Sequence, residues 1–192
     1  APEKEKQIFY TSVYHSLLSP VIYMDADNRY RGLDGRIHKD KNYTNYTIFS
    51  FNKTLGDVST FTGYQKAYII QGGKTVLGDG GGICQVSTTF FRALLNAGLP
   101  ITERHAHAYR VGYYEEDSPP GIDATIFVPS VDLKFKNDTG NYILIQSQIN
   151  LENLSLAFYL YGTKDGRQVT MTKPVITSQT PPLPNLYQDD PT

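Results

Sequence analysis

A run of glycines that leads into one amphipathic helix is the feature that most constrains this chain. Apolar residues recur at helical spacing over residues 83–97, and Gly98 and Pro100 follow them as residues that end helices. We therefore predict one helix over about 83–97, whose apolar face other elements must cover. Glycines at 78 and 80–82 precede this helix and allow the backbone to adopt positive φ and approach a ligand closely.

The only cysteine among the 192 residues, Cys84, lies at the start of this predicted helix. A single cysteine cannot form an internal disulfide. Backbone N–H groups and the helix dipole favour a thiolate at this position, which is the environment of a nucleophilic cysteine. The alternative is a small buried apolar residue, since free cysteines are often buried. The preceding glycines favour the nucleophile.

Three downstream residues are candidate partners of the thiol. His105 and His107 are two residues apart and would share one face of a strand, and either could act as a general base. Asp123 follows a Pro-Gly turn and could orient a histidine or cap that turn. Two alternatives remain open, a zinc site that includes Cys84 and histidines that only satisfy buried hydrogen bonds. Arg104 could bind a substrate carboxylate or remain solvated.

The rest of the sequence predicts mostly β-strands. Alternation and turn signals predict two hairpins in the C-terminal half. Their strands are 132–136 with 142–146, and 154–161 with 168–172 across the turn at 164–166. A further helix is predicted over about 3–18. We therefore predict an α+β fold, a mainly antiparallel sheet packed on one central helix, with β-hairpins in the C-terminal half.

Composition excludes several classes of function. The net charge of −1 and the lack of a basic block argue against nucleic-acid binding. No apolar run approaches the ~20 residues that span a bilayer. The glycine run lacks the Lys-Ser/Thr of a phosphate-binding loop, and the sequence predicts no cofactor.

Five motifs in this order resemble the VanW domain family. They are Phe49-Ser50-Phe51-Asn52-Lys53-Thr54-Leu55-Gly56, the glycine and cysteine motif at 80–89, Glu103-Arg104-His105-Ala106-His107, Gly121-Ile122-Asp123-Ala124-Thr125 and Asp132-Leu133-Lys134-Phe135-Lys136-Asn137. The resemblance implies an extracytoplasmic protein of Gram-positive bacteria, from a family named for its association with vancomycin-resistance clusters. Because this sequence shows no leader or anchor, we expect the location to depend on one that is missing from it.

Some members of the VanW family are L,D-transpeptidases that cross-link peptidoglycan through the cysteine that corresponds to Cys84. The resemblance therefore implies a Cys84 thioester with a peptidoglycan stem peptide. From residue chemistry we add His105, His107 and Asp123 as catalytic helpers. We expect substrate to be bound by Gly81, Gly82, Gln85, Ser87 and Arg104. The alternative function is a non-catalytic module that binds the cell wall.

The N-terminal segment resembles a different family. Motifs at 9–20, 25–32 and 44–50 resemble a fragment of a calcium-dependent exo-α-mannosidase family, and this likeness meets the VanW likeness at Phe49-Ser50. We therefore predict a chimeric chain with an N-terminal segment at 1–48, a VanW domain at 49–150, a β extension at 151–180 and a Pro-rich tail or linker at 181–192. A glycan-processing activity is the less favoured alternative, because the segment lacks a complete acid/base pair.

Overall fold

The computed structural model describes residues 29–31, 37–39, 48–71, 74–141, 143–150 and 152–181. The predicted helix over 3–18 lies outside them. The described elements, in chain order, are β1 (Arg29–Arg31), β2 (Ile37–Lys39), β3 (Ile48–Ser50), α1 (Phe51–Leu55), β4 (Lys66–Gln71), β5 (Lys74–Asp79), α2 (Ile83–Asn96), β6 (Ile101–Glu103), β7 (Lys134–Lys136), β8 (Ile143–Asn150) and β9 (Ser155–Gly162). Short 3₁₀ turns occur at Thr60–Thr62 and Gly112–Glu115.

All the described strand pairs are antiparallel. A three-stranded sheet has the order β3-β7-β6, and three two-stranded sheets pair β1 with β2, β4 with β5 and β8 with β9. With α2 as the main helix, this arrangement confirms the predicted α+β class.

Helix α2 covers the predicted segment almost residue for residue. It ends in a Schellman motif, in which the N–H of Gly98 donates to Leu95 O at 2.9 Å and that of Leu99 to Leu94 O at 3.1 Å. Gly98 has a φ of +65°, which glycine adopts without strain. The local stop signals therefore end this helix as the sequence predicts.

The core forms where the apolar face of α2 meets two sheets. The Phe90 ring lies 5.6 Å from Phe49, 6.0 Å from Phe135 and 5.0 Å from Phe158, measured between ring centroids. These three rings come from β3, β7 and β9, so one helix residue joins the three-stranded sheet to the β8–β9 hairpin. Leu94 and Leu133 are fully buried beside them.

A buried carboxylate connects the start of α1 to the start of β7. Asp132 accepts hydrogen bonds from the backbone N–H groups of Asn52 and Leu133, both at 2.8 Å, and from Ser50 Oγ at 2.6 Å. Since Asp132 is only 5% exposed, these bonds satisfy a charge that would otherwise be costly to bury. Two of the five sequence motifs thus meet at one structural contact.

The predicted C-terminal hairpins are wrong in their pairing. Strand β7 is the central strand of its sheet, and because β3 and β6 occupy both its edges it cannot pair with β8. Strand β8 pairs with β9 instead. Residues 163–181 contain no regular strand. Within them, the Arg167 guanidinium donates to Gly98 O at 2.9 Å and pairs with Asp138, which holds this segment against the end of α2.

Candidate active site

The loop from β5 into α2 places Cys84 in the first turn of the helix. Gly82 is the N-cap with a φ of +89°, a left-handed conformation that favours glycine. Gly81 packs so closely on Ala67 that a side chain at position 81 would collide with it. The half-buried Cys84 Sγ lies 3.5 Å from Thr125 Oγ1 and 3.6 Å from Ile126 O. The thiol therefore lies between the helix N-terminus and the extended segment around residue 125.

His107 links the thiol to a carboxylate. Its side chain is 4% exposed, and its Nδ1 lies 2.5 Å from Asp123 Oδ2. The same Asp123 oxygen accepts the backbone N–H of His107 at 2.9 Å. The His107 ring also lies close enough to the Cys84 thiol that each side chain shifts the pKa of the other. Because Nδ1 is taken by Asp123, Nε2 is the nitrogen available to the sulfur. Cys84, His107 and Asp123 thus form a continuous nucleophile–base–carboxylate arrangement.

The electrostatics of this arrangement favour an ion pair between sulfur and imidazole. Burial lowers the pKa of His107, but its hydrogen bond to Asp123 and its contact with Cys84 outweigh this and raise that pKa to about 9. Burial raises the pKa of the Cys84 thiol, yet hydrogen bonds with His107 and Thr125 bring it below its ordinary value. Burial also raises the pKa of Asp123, and hydrogen bonds from His107 bring it lower overall. At neutral pH these shifts favour an imidazolium at His107 and move Cys84 toward the thiolate.

Arg104 holds Asp123 from the other side. Its Nη2 donates to Asp123 Oδ1 at 2.8 Å and to Gly121 O at 2.9 Å, and its Nε donates to Asp123 O at 2.6 Å. The guanidinium also lies 5.4 Å from the centroid of the Phe91 ring. We expected Arg104 to bind a substrate carboxylate, but the structure directs its donors to the Asp123 loop.

His105 does not join the thiol. It is half-exposed, and its Nε2 lies 3.3 Å from Glu103 Oε1. The prediction that His105 and His107 share one strand face is wrong because β6 ends at Glu103, and beyond it only an isolated bridge pairs His105 with Thr125. Among the described residues no group of three or more His, Cys, Asp and Glu side chains could hold a metal ion, so the alternative zinc site is not assembled there.

The other residues expected to bind substrate divide into two groups. Gly82 and Gln85 are exposed beside the thiol, whereas Gly81 and Ser87 are buried. Ser87 is fully buried and donates to Ala124 O at 2.6 Å and to Cys84 O at 3.1 Å, so it cannot touch a substrate. Thr88 reinforces this link by accepting the Ala124 N–H at 3.1 Å. Ser87 and Thr88 join α2 to the strand-like segment that carries Asp123, which fixes the two halves of the site to each other.

Two residues of the site were missed in the sequence. Thr125 contacts the sulfur, and its position two residues after Asp123 on an extended segment was a usable signal, since alternate residues share a face. The Tyr114 ring packs edge-on against the His107 ring at 5.4 Å between centroids. Burial raises the pKa of Tyr114, so its phenol stays neutral beside the ion pair. No local sequence pattern predicts that the 3₁₀ turn at Gly112–Glu115 places Tyr114 against His107.

A groove of about 1010 Å³ opens beside the thiol. Gly82, Gln85 and Tyr114 lie at its end nearest Cys84, and it extends along α2 as far as Asn96 and Ala97. The segment at 113–119, strand β9 and residues 171–174 complete its walls. Cys84 itself does not line this cleft, but its neighbours Gly82 and Gln85 do, and the cleft is large enough for a peptide-sized ligand.

Comparison with known families is consistent with the sequence motifs. The model described as VanW like protein matches residues 36–159, which is well over half of the chain. The model described as glycosyl hydrolase family 92 catalytic domain matches residues 1–60, where we noted the mannosidase-like motifs. The two matches overlap, so the boundary at 48–49 stays a prediction.

Two curated proteins are similar to this chain. The uncharacterized protein YoaR of Bacillus subtilis is 43% identical over 100 residues, which are 52% of this chain and 32% of that protein. The vancomycin B-type resistance protein VanW of Enterococcus faecalis is 34% identical over 92 residues, which are 47% of this chain and 34% of that protein. The chain thus spans about a third of the length of these relatives. No solved structure matches. In the described part of the chain, no helix has the length and apolar character needed to cross a membrane.

Proposed function

Because the chain belongs to the VanW-like family, we propose that it acts on peptidoglycan outside the cytoplasm as a cysteine-dependent L,D-transpeptidase. The observation that carries this proposal is the contact chain from Cys84 through His107 to Asp123, next to an open groove. A cell-wall role also agrees with the name of the Enterococcus relative, which links that protein to vancomycin resistance.

The first half of the reaction forms a thioester. The Cys84 thiolate attacks the carbonyl carbon of the third residue of a donor stem peptide, and the C–N bond to the terminal D-alanine breaks. The His107 imidazolium gives its proton to the departing amine. The N–H of Cys84 belongs to the first helical turn, where amides have no intrahelical acceptor, and we assign it to the oxyanion of the tetrahedral intermediate.

The second half transfers the acyl group. The side-chain amine of a second stem peptide loses a proton to neutral His107 and attacks the thioester carbonyl. The C–S bond breaks, the new amide is the cross-link, and the thiolate returns beside an imidazolium. Asp123 keeps the ring oriented through both steps, and Arg104 holds Asp123 in place.

Intact-protein mass spectrometry tests the proposal. Incubation with a synthetic tetrapeptide donor is expected to add the mass of the acyl tripeptide to the protein and to release D-alanine. Cys84→Ala is expected to lose both signals, whereas Gln148→Ala, at an exposed residue of β8 outside the groove, is expected to keep them. If Cys84 alkylates readily with iodoacetamide but gives no adduct with donors over a range of pH, the non-catalytic wall-binding module becomes the better assignment.

A further inference from the structure

Strand β9 has one unpaired edge, and this edge lies in the groove. It pairs with β8 along its other edge, and within the described residues no strand pairs with it on the groove side. Residues 154–156 and 158–160 line the cavity. Consecutive side chains of a strand point to opposite faces, so a cavity that touches consecutive residues meets the strand edge-on. The groove therefore contains backbone donors and acceptors as well as side chains.

The polar face of α2 forms the opposite wall. Gln85, Thr89, Arg92 and Asn96 recur at spacings of three and four residues along it. The helix has 14 residues, so this wall is roughly 20 Å long at ~1.5 Å per residue. The groove ends at Gly82 and Gln85, which flank Cys84 in the sequence, although Cys84 does not itself line it. A ligand bound along the groove would have to extend past this end to reach the sulfur.

The charges of the groove are balanced. Its charged lining residues are Arg92, Glu116, Asp117 and Lys173, two of each sign. Arg92 and Asp117 neutralise each other at 2.7 Å. A groove without net charge does not attract a strongly acidic or basic polymer, and recognition must come from shape and main-chain hydrogen bonds.

We propose that the donor stem peptide binds in this groove as a third strand on the free edge of β9, with its reacting carbonyl at Cys84. The inference rests on the proposed transpeptidase function and adds the location and geometry of the donor. An extended chain rises ~3.3 Å per residue, so a groove of roughly 20 Å accepts about six residues, which is ample for a stem peptide. Addition of a strand to an open sheet edge supplies main-chain affinity, and side-chain pockets supply selectivity.

Peptide binding to the full chain carrying Cys84→Ala tests the proposed position of the donor, because this variant cannot form the thioester. The probe is a fluorescein-labelled stem tetrapeptide, followed by fluorescence anisotropy. Ala93 lies in the groove wall on α2, and Ala93→Trp is expected to weaken binding at least about tenfold, which corresponds to ~1.4 kcal/mol. The matched control is Gln148→Trp on the exposed face of β8, outside the groove, which is expected to bind the probe as its parent does. If Ala93→Trp does not fold, Thr89→Phe replaces it.

Hydrogen exchange of β9 supplies the geometric readout. Saturating tetrapeptide is expected to slow amide exchange in residues 154–162, in the same Cys84→Ala protein. Binding without this protection, or unchanged affinity in the groove variant, overturns the inference. So does strong protection of the groove-side amides before peptide is added, because another part of the chain then already occupies the edge.

The two proposals fail in distinguishable ways. If the tetrapeptide binds and protects β9 but the wild-type protein forms no thioester, the transpeptidase function is wrong and the peptide groove remains. If the thioester forms and Ala93→Trp leaves its rate unchanged, the function remains and the donor lies elsewhere.

Discussion

Removing the charge of Asp123 is expected to disrupt the ion pair at the thiol. The pKa of His107 stands at about 9 against an ordinary 6.5, a difference worth roughly 3 kcal/mol at 1.36 kcal/mol per pKa unit. Asp123 and Cys84 both raise the pKa of His107, whereas burial lowers it. Asp123→Asn is therefore expected to lower the pKa of His107 by about 1–2 units, since it keeps the shape of the side chain but loses its charge.

The sign of the effect on Cys84 follows from this loss. With a lower pKa, His107 becomes neutral at a lower pH and no longer stabilises a thiolate near neutrality. The pKa of Cys84 must then rise. We expect the rate of Cys84 alkylation by iodoacetamide at pH 7 to fall by about tenfold, and the transpeptidase rate by about 10²-fold or more, as for other misoriented catalytic histidines.

Two measurements test this prediction directly. Nitrogen-15 spectra of the histidine rings report the pKa of His107, and the pH dependence of alkylation reports that of Cys84. The matched control is Asp117→Asn, which removes an exposed carboxylate paired with Arg92 and is expected to leave both titrations unchanged. A variant Asp123→Asn whose His107 still titrates near 9 would refute the assignment of that carboxylate as the main stabiliser of the imidazolium.

Three further predictions concern the residues around the ion pair. His107→Ala is expected to slow thiol alkylation at pH 6.5 by at least about tenfold, because the pKa of the thiol returns toward an ordinary value near 8.5; equal rates would contradict the pairing. Arg104→Met removes three hydrogen bonds to the Asp123 loop and is expected to shift the pH–rate profile and reduce turnover, with partial rescue in Arg104→Lys; a change in unfolding alone would make its role structural. Asp132→Ala leaves two buried backbone N–H groups without their acceptor and is expected to cost about 2–4 kcal/mol of unfolding free energy in urea, against less than about 0.5 for the exposed control Lys136→Ala.

Local features of this fold could be predicted from the sequence. The helix over 83–97 depends on periodicity and on the stop signal at Gly98, and both act within a few residues. The position of Cys84 in the first helical turn follows from the same signals. Strand pairing could not be predicted in this way. The short strand 134–136 alternates like a hairpin strand, yet its partners come from residues 48–50 and 101–103.

The candidate site shows the same division. The sequence placed His107 and Asp123 near the thiol but could not separate His107 from His105, because that choice depends on β6 ending at Glu103. Arg104 turns toward Asp123, 19 residues away along the chain, rather than toward solvent. This contact forms only when the chain between Arg104 and Asp123 folds back on itself, so no local sequence pattern predicts it.

The hydroxyls of Ser87 and Thr88 have a consequence for how this protein could evolve. Because both bond to Ala124, the segment that holds the carboxylate moves with the helix that holds the sulfur. The contacts among thiol, imidazole and carboxylate all fall between residues 84 and 126. Because α2 packs on Phe49, Phe135 and Phe158, an exchange of leading sequence would keep this geometry only if residues 49–158 stayed together. The glycoside-hydrolase-like match at 1–60 lies mostly before that stretch.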